Sequence, residues 1–203
     1  SAIRPELMCH AIKKISDLKP LLSKVDTLAI GPGLGTSKWG RNLFNEVVKL
    51  DLPMVVDADA LNLLANSSVH HDNWILTPHP GEAGRLLGVT ADVIQEDRLS
   101  AVIALRDKYG GTTVLKGAGS LVSSMDGPVW ISTSGNPGMA SPGMGDALTG
   151  VIASLLAQGV PSEQAAAFGV EIHARAGDLA IKNGQRGLIA SDVLREFRSL
   201  VNS

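Results

Sequence analysis

Short apolar runs alternate along the chain with segments of helical pattern. Four of these runs are rich in aliphatic and β-branched residues, and each leads directly into Gly, Pro or Asp: DTLAIGPGLG, LPMVVDADA, NWILTPHPGE and GTTVLKGAGS. Four or five such residues followed by a turn-forming residue are typical of buried strands that end in loops. The pattern therefore predicts four strands.

Between these strands, helical patterns are found at 38–50, 60–65, 81–87 and 92–109. Strands that alternate with helices predict βαβ units, in which parallel strands form one sheet and helices cover both of its faces. After the fourth strand, SLVSSMDGPVWIS predicts a hairpin that turns at Asp126 and Gly127, and the pattern from 146 to 201 predicts three helices. The predicted fold is α/β, with a mainly parallel central sheet between two layers of helices.

Composition narrows the class of protein. The chain has 203 residues, of which 44% are hydrophobic and 3% aromatic, which predicts a single domain with a core of Ala, Val, Leu and Ile. The net charge of −2 leaves no basic stripe for a phosphate backbone, so nucleic acid is excluded as a partner. Cys9 is the only cysteine, and neither a membrane span nor a signal peptide is recognisable, so we predict a cytoplasmic protein without an internal disulfide.

The unusual residues of the sequence fall where the predicted strands end. GPGLG, DAD, TPHPGE and KGAGS each follow a strand, and GNPGMASPGMGD precedes a helix. In an open parallel sheet, ligands bind outside the carboxyl ends of the strands, because loops diverge there and helix N-termini point into the gap. The sequence therefore predicts that these five loops form one site.

The first loops allow more than one interpretation. The segment at 31–35 is either a tight turn or a place where the backbone approaches a ligand closely. Asp59 is interpreted as the N-cap of the next helix, and Asp57 as a strand-end carboxylate that could hold a metal-bound water. His79 is either a hydrogen-bonded loop histidine or a ligand contact; it lies between two prolines that stiffen it, beside Glu82.

Lys116 is either a solvated charge or a phosphate contact, and the Gly-Ala-Gly-Ser that follows favours the contact, since a planar group could lie against bare backbone there. The remaining histidines show no spacing typical of metal ligands and are interpreted as structural or surface residues: His10, His70, His71 and His173.

The loop before the helix that starts near Asp146 carries glycines at 143 and 145. A helix N-terminus has free N–H groups and about half a positive charge, so it binds anions where side chains leave room. A carboxylate beside such a site suits a base that takes a proton from a hydroxyl attacking phosphorus. The alternative is that Asp146 is only a favourable first-turn carboxylate.

Five ordered motifs carry a family resemblance: GPGLG, DADALNLLA, TPHPGEAGRLLG, VLKGAGS and GNPGMASPGMGDALTGVIASLLAQG. They resemble the ADP-dependent NAD(P)H-hydrate dehydratases, a ribokinase-like domain often fused behind an NAD(P)H-hydrate epimerase domain. The resemblance covers essentially the whole chain. It implies a ribokinase-like three-layer fold, repair of hydrated NADH or NADPH with conversion of ADP to AMP and phosphate, a requirement for Mg²⁺, and a homotetramer.

The resemblance also implies roles for residues that match the family motifs. It implies that Gly33, His79 and Asp146 contact the hydrated dinucleotide, with Asp146 as the catalytic base. The nucleotide-phosphate and adenosine site would be formed by Lys116, Gly117, Ala118, Gly119, Ser120 and Gly145.

Two features depart from the family pattern. Pro142 stands where a second glycine is usual, and proline removes one N–H and fixes one torsion. Family domains also carry some tens of residues before RPELM, including the opening strand. We therefore expect the chain to be a piece of the domain whose sheet has an unfilled edge.

Two other functions stay open from the sequence. One is a ribokinase-type kinase for a sugar or a vitamin alcohol, although the corresponding loop of vitamin-alcohol kinases tends to carry asparagine where this chain has His79. The other is a non-catalytic nucleotide-binding module.

Overall fold

The computed structural model describes residues 6–202. Part of the RPELM segment, at residues 4 and 5, lies outside the described residues. The described chain forms one six-stranded sheet: β1 (Leu28–Ile30), β2 (Met54–Val56), β3 (Trp74–Leu76), β4 (Thr112–Leu115), β5 (Leu121–Ser123) and β6 (Trp130–Ile131). The order of strands in the sheet follows their order in the chain. The first four are parallel and the last two add as an antiparallel hairpin, so the predicted sheet is confirmed.

The described helices are α1 (Lys19–Leu22), α2 (Lys38–Val47), α3 (Ala58–Leu64), α4 (Pro80–Leu87), α5 (Ala91–Glu96), α6 (Arg98–Tyr109), α7 (Met144–Ala157), α8 (Ser162–Ala180) and α9 (Ala190–Leu200). Short 3-10 turns occur at Ile15–Asp17, Pro137–Met139 and Ile181–Asn183. Within residues 6–202, every helix is too short or too polar to span a membrane.

Helices cover both faces of the sheet because strand side chains point alternately to its two sides. Val56 and Leu76 belong to a buried cluster shared with α2 to α6, whereas the neighbouring Val55 and Ile75 pack against α7 and α8. Each side chain of this size contributes about 1.5–3 kcal/mol when fully buried. A slip of one residue would exchange the two sets, so this packing fixes the register and aligns the strand ends.

The helix predicted over 92–109 is wrong as a single element. It is divided at Asp97, whose backbone leaves the helical region at φ −142° and ψ 80°. Asp97 ends α5 and caps α6, with its Oδ1 accepting the N–H of Ser100 at 2.9 Å. A capping carboxylate satisfies a backbone donor that the start of a helix would otherwise leave unpaired.

The prediction that Asp59 caps the third helix is also wrong. The N-cap position of α3 belongs to Asp57, whose side chain makes no capping hydrogen bond. Asp59 lies in the first turn, where its Oδ2 accepts the N–H of Gly35 at 2.8 Å. Asp59 thereby ties α3 to the loop after β1.

Candidate active site

The loops after the parallel strands meet at one edge of the sheet because the strands end in register. Ile30 pairs with Val56, which in turn pairs with Leu76. A Cβ at Gly31 would overlap the backbone carbonyl of Asp57, so only glycine allows the first two loops to lie this close. The convergence predicted from the sequence is confirmed for these loops.

The centre of this edge is an ion pair between loops that are distant in sequence. The Lys116 ammonium lies 2.8 Å from Oδ1 of Asp57, and Oδ2 of Asp57 accepts the hydroxyl of Thr149 on α7, also at 2.8 Å. Asp57 is 1% exposed. Burial alone would raise its pKa, but the charge of Lys116 and hydrogen bonds from Lys116, Thr149 and Thr77 outweigh burial and hold the pKa below its usual value.

A second buried carboxylate lies on the other side of the ammonium. Glu82, in the first turn of α4, has its Oε2 3.7 Å from the Lys116 ammonium. The same oxygen accepts the backbone N–H of His79 at 2.7 Å. The Lys116 backbone N–H donates to the carbonyl of Pro78 at 2.9 Å, which joins the two loops. The buried cluster of Asp57, Glu82 and Lys116 therefore carries more negative than positive charge when all three groups are ionised.

His79 is the N-cap of α4. Its Nδ1 accepts the N–H groups of Gly81 and Glu82, at 3.0 and 3.3 Å, which completes a capping box with Glu82. Because Nδ1 accepts, the proton of the neutral ring is on Nε2. The side chain is 51% exposed, so this N–H can reach a ligand. These bonds support the loop-histidine interpretation, and the partly exposed Nε2 lies 3.6 Å from Oε1 of Glu82.

The KGAGS loop is shaped by glycines and by an arginine. Gly117 and Gly119 have φ values of +152° and +68°, and the Ser120 hydroxyl donates to the Gly117 carbonyl at 3.1 Å. The guanidinium of Arg98 donates to the carbonyls of Ala118 and Leu115. Burial lowers the pKa of Arg98. Arg98 was not predicted from the sequence, because nothing in its neighbourhood marks an arginine that binds loop carbonyls.

The N-terminus of α7 faces the Lys116 centre. Gly143 holds the N-cap position with φ +86° and has no side chain to block the first N–H groups. A Cβ at Gly145 would lie 3.3 Å from the Lys116 ammonium and 3.6 Å from Oδ2 of Asp57. The structure therefore brings Gly145 and Lys116 together, as expected for residues of one site.

The side chain of Asp146, in the first turn of α7, is exposed and makes no hydrogen bond or ion pair with another residue in the range 6–202. Its carboxylate is available as a base, because no neighbour occupies its lone pairs. Gly33 is also exposed, at φ +68°, with open space where a Cβ would be. In the described chain, no hydrogen bond links Gly33 to the cluster of Asp57, Glu82 and Lys116. The place of Gly33 in a common pocket therefore stays a prediction.

Comparison with known proteins gives a family for this arrangement. The model of the NAD(P)H-hydrate dehydratase family matches residues 1–198. The chain belongs to this family. The bifunctional NAD(P)H-hydrate repair enzyme of Coxiella burnetii is 50% identical over 203 residues, which are all of this chain and 42% of that protein. The chain thus spans about two fifths of the length of this and other bifunctional relatives that it matches.

A shorter relative and two solved structures extend the comparison. The ADP-dependent (S)-NAD(P)H-hydrate dehydratase of Neisseria meningitidis is 40% identical, and the match covers 98% of this chain and 69% of that protein. The Bacillus subtilis ADP/ATP-dependent dehydratase, co-crystallised with ATP and Mg²⁺, has a TM-score of 0.78 at 27% identity, over 87% of this chain and 66% of that one. A ribokinase-like protein of Enterococcus faecalis has a TM-score of 0.80 at 28% identity, over 91% and 66% of the two chains. The ribokinase-like fold of the dehydratase family is therefore confirmed.

Proposed function

We propose that this chain catalyses the ADP-dependent dehydration of hydrated NADH or NADPH, which restores NAD(P)H and releases AMP and phosphate. Family membership supports the reaction. The structural observation that carries the proposal is the exposed, unpaired carboxylate of Asp146 beside the glycine-lined N-terminus of α7. A base and an anion-binding helix terminus on the same turn are the parts that phosphoryl transfer to a hydroxyl requires.

The two substrates divide between the loops in this proposal. The nucleotide lies against the segment from Lys116 to Ser120 and against Gly145, where the glycines leave room for the phosphates and the α7 N–H groups donate hydrogen bonds to them. The hydrated dinucleotide contacts Gly33, the Nε2–H of His79 and Asp146. Lys116 reaches the phosphates from its place between two carboxylates, which hold its ammonium at the helix start.

Chemistry then proceeds in two stages. Asp146 takes the proton of the 6-hydroxyl while the hydroxyl oxygen bonds to the β-phosphorus of ADP. The bond between the β-phosphorus and the bridging oxygen breaks, so AMP leaves. Hydroxide is a poor leaving group, whereas phosphate is a good one. The lone pair of the ring nitrogen expels phosphate from C6, and loss of a proton from the neighbouring carbon restores the dihydronicotinamide. The neutral ring of His79 offers no lone pair for this last proton, because its Nδ1 accepts the N–H groups of Gly81 and Glu82 and its Nε2 carries the hydrogen.

The residues present fit Mg²⁺ that arrives with nucleotide phosphates. Among residues 6–202, no group of three or more His, Cys, Asp or Glu side chains is placed to form a metal cage. Mg²⁺ usually keeps several waters and binds through one or two carboxylates together with substrate phosphates. Asp57 and Glu82, both buried at the site, would hold the ion through its waters. The ion would supply positive charge that neutralises the phosphates during transfer.

The test is turnover with hydrated NADH, ADP and Mg²⁺, with AMP, phosphate and NADH measured together. Equal amounts of the three products are expected. A small alcohol phosphorylated to a stable ester, with no release of phosphate from the hydrate, would replace this function by the kinase alternative. Nucleotide binding without either reaction would support the non-catalytic module.

The function also has consequences for how the protein is organised and assembled. We propose a single catalytic domain, since both helix layers pack on one sheet. We also propose that it works beside an epimerase domain, because relatives of 50% and 46% identity are bifunctional repair enzymes. A homotetramer in the cytoplasm is proposed from the family resemblance and the sequence composition alone. Light scattering coupled to size-exclusion chromatography measures the assembly, and a monomer at micromolar concentration would contradict it.

A further inference from the structure

One face of α8 holds the loop that leads into the α7 N-terminus. At one end of this face, Glu171 accepts the hydroxyls of Ser132 and Ser134 at 3.0 and 2.9 Å. Two turns further along, Asp178 accepts the N–H of Gly135 at 2.8 Å through Oδ2 and the side-chain amide of Asn136 at 3.0 Å through Oδ1. Two carboxylates seven residues apart therefore bind four donors from one stretch of loop.

Small residues fill the space between these carboxylates. A Cβ at Gly135 would lie 3.6 Å from the Cβ of Ala174, and a Cβ at Gly177 would overlap the sulfur of Met139. Residues three, four and seven apart share one face of a helix, so Glu171, Ala174 and Asp178 form a continuous stripe. The loop thus lies directly on the helix.

Asn136 connects Asp178 to the next turn of the loop through two side-chain hydrogen bonds. Its Oδ1 accepts the N–H of Gly138 at 3.1 Å and caps the 3-10 turn Pro137–Met139, while its Nδ2 donates to Asp178. Only four residues separate the end of this turn from Met144, where α7 begins. The position of the turn therefore constrains the backbone that delivers Asp146.

We propose that Asp178 is a positioning residue of the dehydratase, which acts through Asn136 to hold the glycine loop and α7 start in the reactive arrangement. The inference rests on the proposed function. A misplacement of about 1 Å at a reacting group can lower a rate by on the order of a hundred-fold. Hydrogen bonds that fix a loop without regular structure beside the reacting group therefore affect the rate. Asp178 itself contacts neither substrate in this proposal.

The pairing can be reversed without loss of hydrogen bonds. In Asp178→Asn with Asn136→Asp, the new amide oxygen at 178 accepts the Gly135 N–H and the amide nitrogen donates to the new carboxylate at 136. That carboxylate still accepts from Gly138. In Asp178→Asn alone, one amide oxygen can accept from Gly135 or from Asn136, and the amide nitrogen faces the other donor. In Asn136→Asp alone, two carboxylates face each other. The double variant keeps the hydrogen bonds but moves the negative charge from position 178 to position 136. Comparing it with the single variants therefore shows whether the rate depends on the hydrogen bonds or on a charge at 178.

The experiment measures kcat/KM for hydrated NADH, with ADP and Mg²⁺ saturating, in the parent, both single variants and the double variant. We expect each single variant to fall ten-fold or more and the double variant to return to within three-fold of the parent. Asp51→Asn is the matched control, because Asp51 accepts the side-chain amide of Asn73 at 2.6 Å at the opposite edge of the sheet. It is expected to leave kcat/KM within two-fold. A single Asp178→Asn variant that keeps more than half of the parent value, or a double variant no better than the singles, overturns the proposal.

Hydrogen exchange tests the role of Asp178 in holding the loop without relying on turnover, so its result does not depend on the proposed function. Amides at 134–143 should exchange faster in Asp178→Asn and return towards the parental rate in the double variant, whether or not the chain acts on hydrated NADH. A parent with no hydrate-dependent phosphate release contradicts the proposed function. Exchange that is unchanged in Asp178→Asn contradicts the inference about the loop.

Discussion

The ammonium of Lys116 lies 2.8 Å from a carboxylate oxygen of Asp57 directly beneath the first turn of α7. This pair joins the ends of β2 and β4, and the Thr149 hydroxyl connects it to α7. Removing one partner of a buried pair leaves the other without compensation, which costs more than the pair contributes when intact. The stability of the edge and the geometry of the site therefore depend on the same two side chains.

Asp57→Asn is expected to lower the free energy of unfolding by about 3 kcal/mol, the lower end of the range for a broken buried pair, because Glu82 remains 3.7 Å from Lys116. Lys116→Met added to Asp57→Asn should recover part of this loss, since the uncompensated ammonium is removed and Glu82 keeps its hydrogen bond from the His79 N–H. Urea unfolding of the parent, both single variants and the double variant measures the coupling. Additive losses would show that the two residues stabilise the fold independently.

Asp146→Asn should reduce turnover at least a hundred-fold and leave the dissociation constant for ADP within a few-fold of the parent. The amide keeps the shape of the side chain but cannot accept the hydroxyl proton, and general base catalysis typically contributes about 10²- to 10⁴-fold. Rate assays and calorimetric titration with ADP measure the two effects. Asp92→Asn serves as control, because Asp92 is also an exposed first-turn carboxylate, on α5. A variant at 146 that retains more than about a tenth of the parent rate would rule out the base.

His79→Asn should raise the Michaelis constant for hydrated NADH roughly ten- to a hundred-fold, the value of one hydrogen bond to a charged group, with ADP affinity nearly unchanged. Asparagine is a good N-cap and keeps the start of α4, whereas it lacks the Nε2–H that we assign to the dinucleotide. The melting temperature should therefore fall in His79→Ala but much less in His79→Asn. Loss of ADP binding with an unchanged Michaelis constant for the hydrate would mean that the two subsites are exchanged.

His173 makes the stability of the fold depend on pH. The residue is 8% exposed on α8, its ring lies 6.3 Å from that of Phe197, and Nε2 is buried without a partner in the described structure. Burial lowers its pKa to about 4. The unfolded chain binds this proton near pH 6.5, so the stabilisation is fully present above that pH and is lost as the pH falls towards 4.

Between pH 7.5 and pH 5, protonation of His173 in the unfolded state should cost on the order of 2 kcal/mol of stability. His173→Leu removes the titrating group and should flatten the dependence by that amount, because leucine keeps an apolar contact for Phe197. Unfolding free energies of parent and variant at the two pH values provide the comparison. Parallel curves for the two proteins would show that His173 is not responsible.

The positions of the strand ends could be predicted because they depend on local chemistry. An apolar run followed by Gly, Asp or Pro defines both a buried strand and the place where it stops, so GPGLG, DAD and TPHPGE located the edge of the sheet in advance. The break at Asp97 was not predicted, since apolar periodicity continues across it and only the backbone of one residue changes.

Partners at the centre of the site could not be predicted from spacing. Asp57 binds Lys116 and Thr149, which are 59 and 92 residues away, and only the packing of β4 and α7 brings them together. Arg98 and Asp178 were missed for a related reason. Each binds backbone groups, and a backbone carbonyl or N–H has no signature in the sequence.

The sequential order of the strands also matters during synthesis of the protein. Each parallel strand pairs with its predecessor, so β1 to β4 can assemble with α2 to α6 as the chain emerges. The opposite face, with Val55, Ile75 and Val114, stays uncovered until α7 and α8 have left the ribosome. A nascent chain that still lacks α7 therefore exposes this apolar surface and also lacks Asp146, the proposed base. Covering of the surface is complete only when α8 has followed.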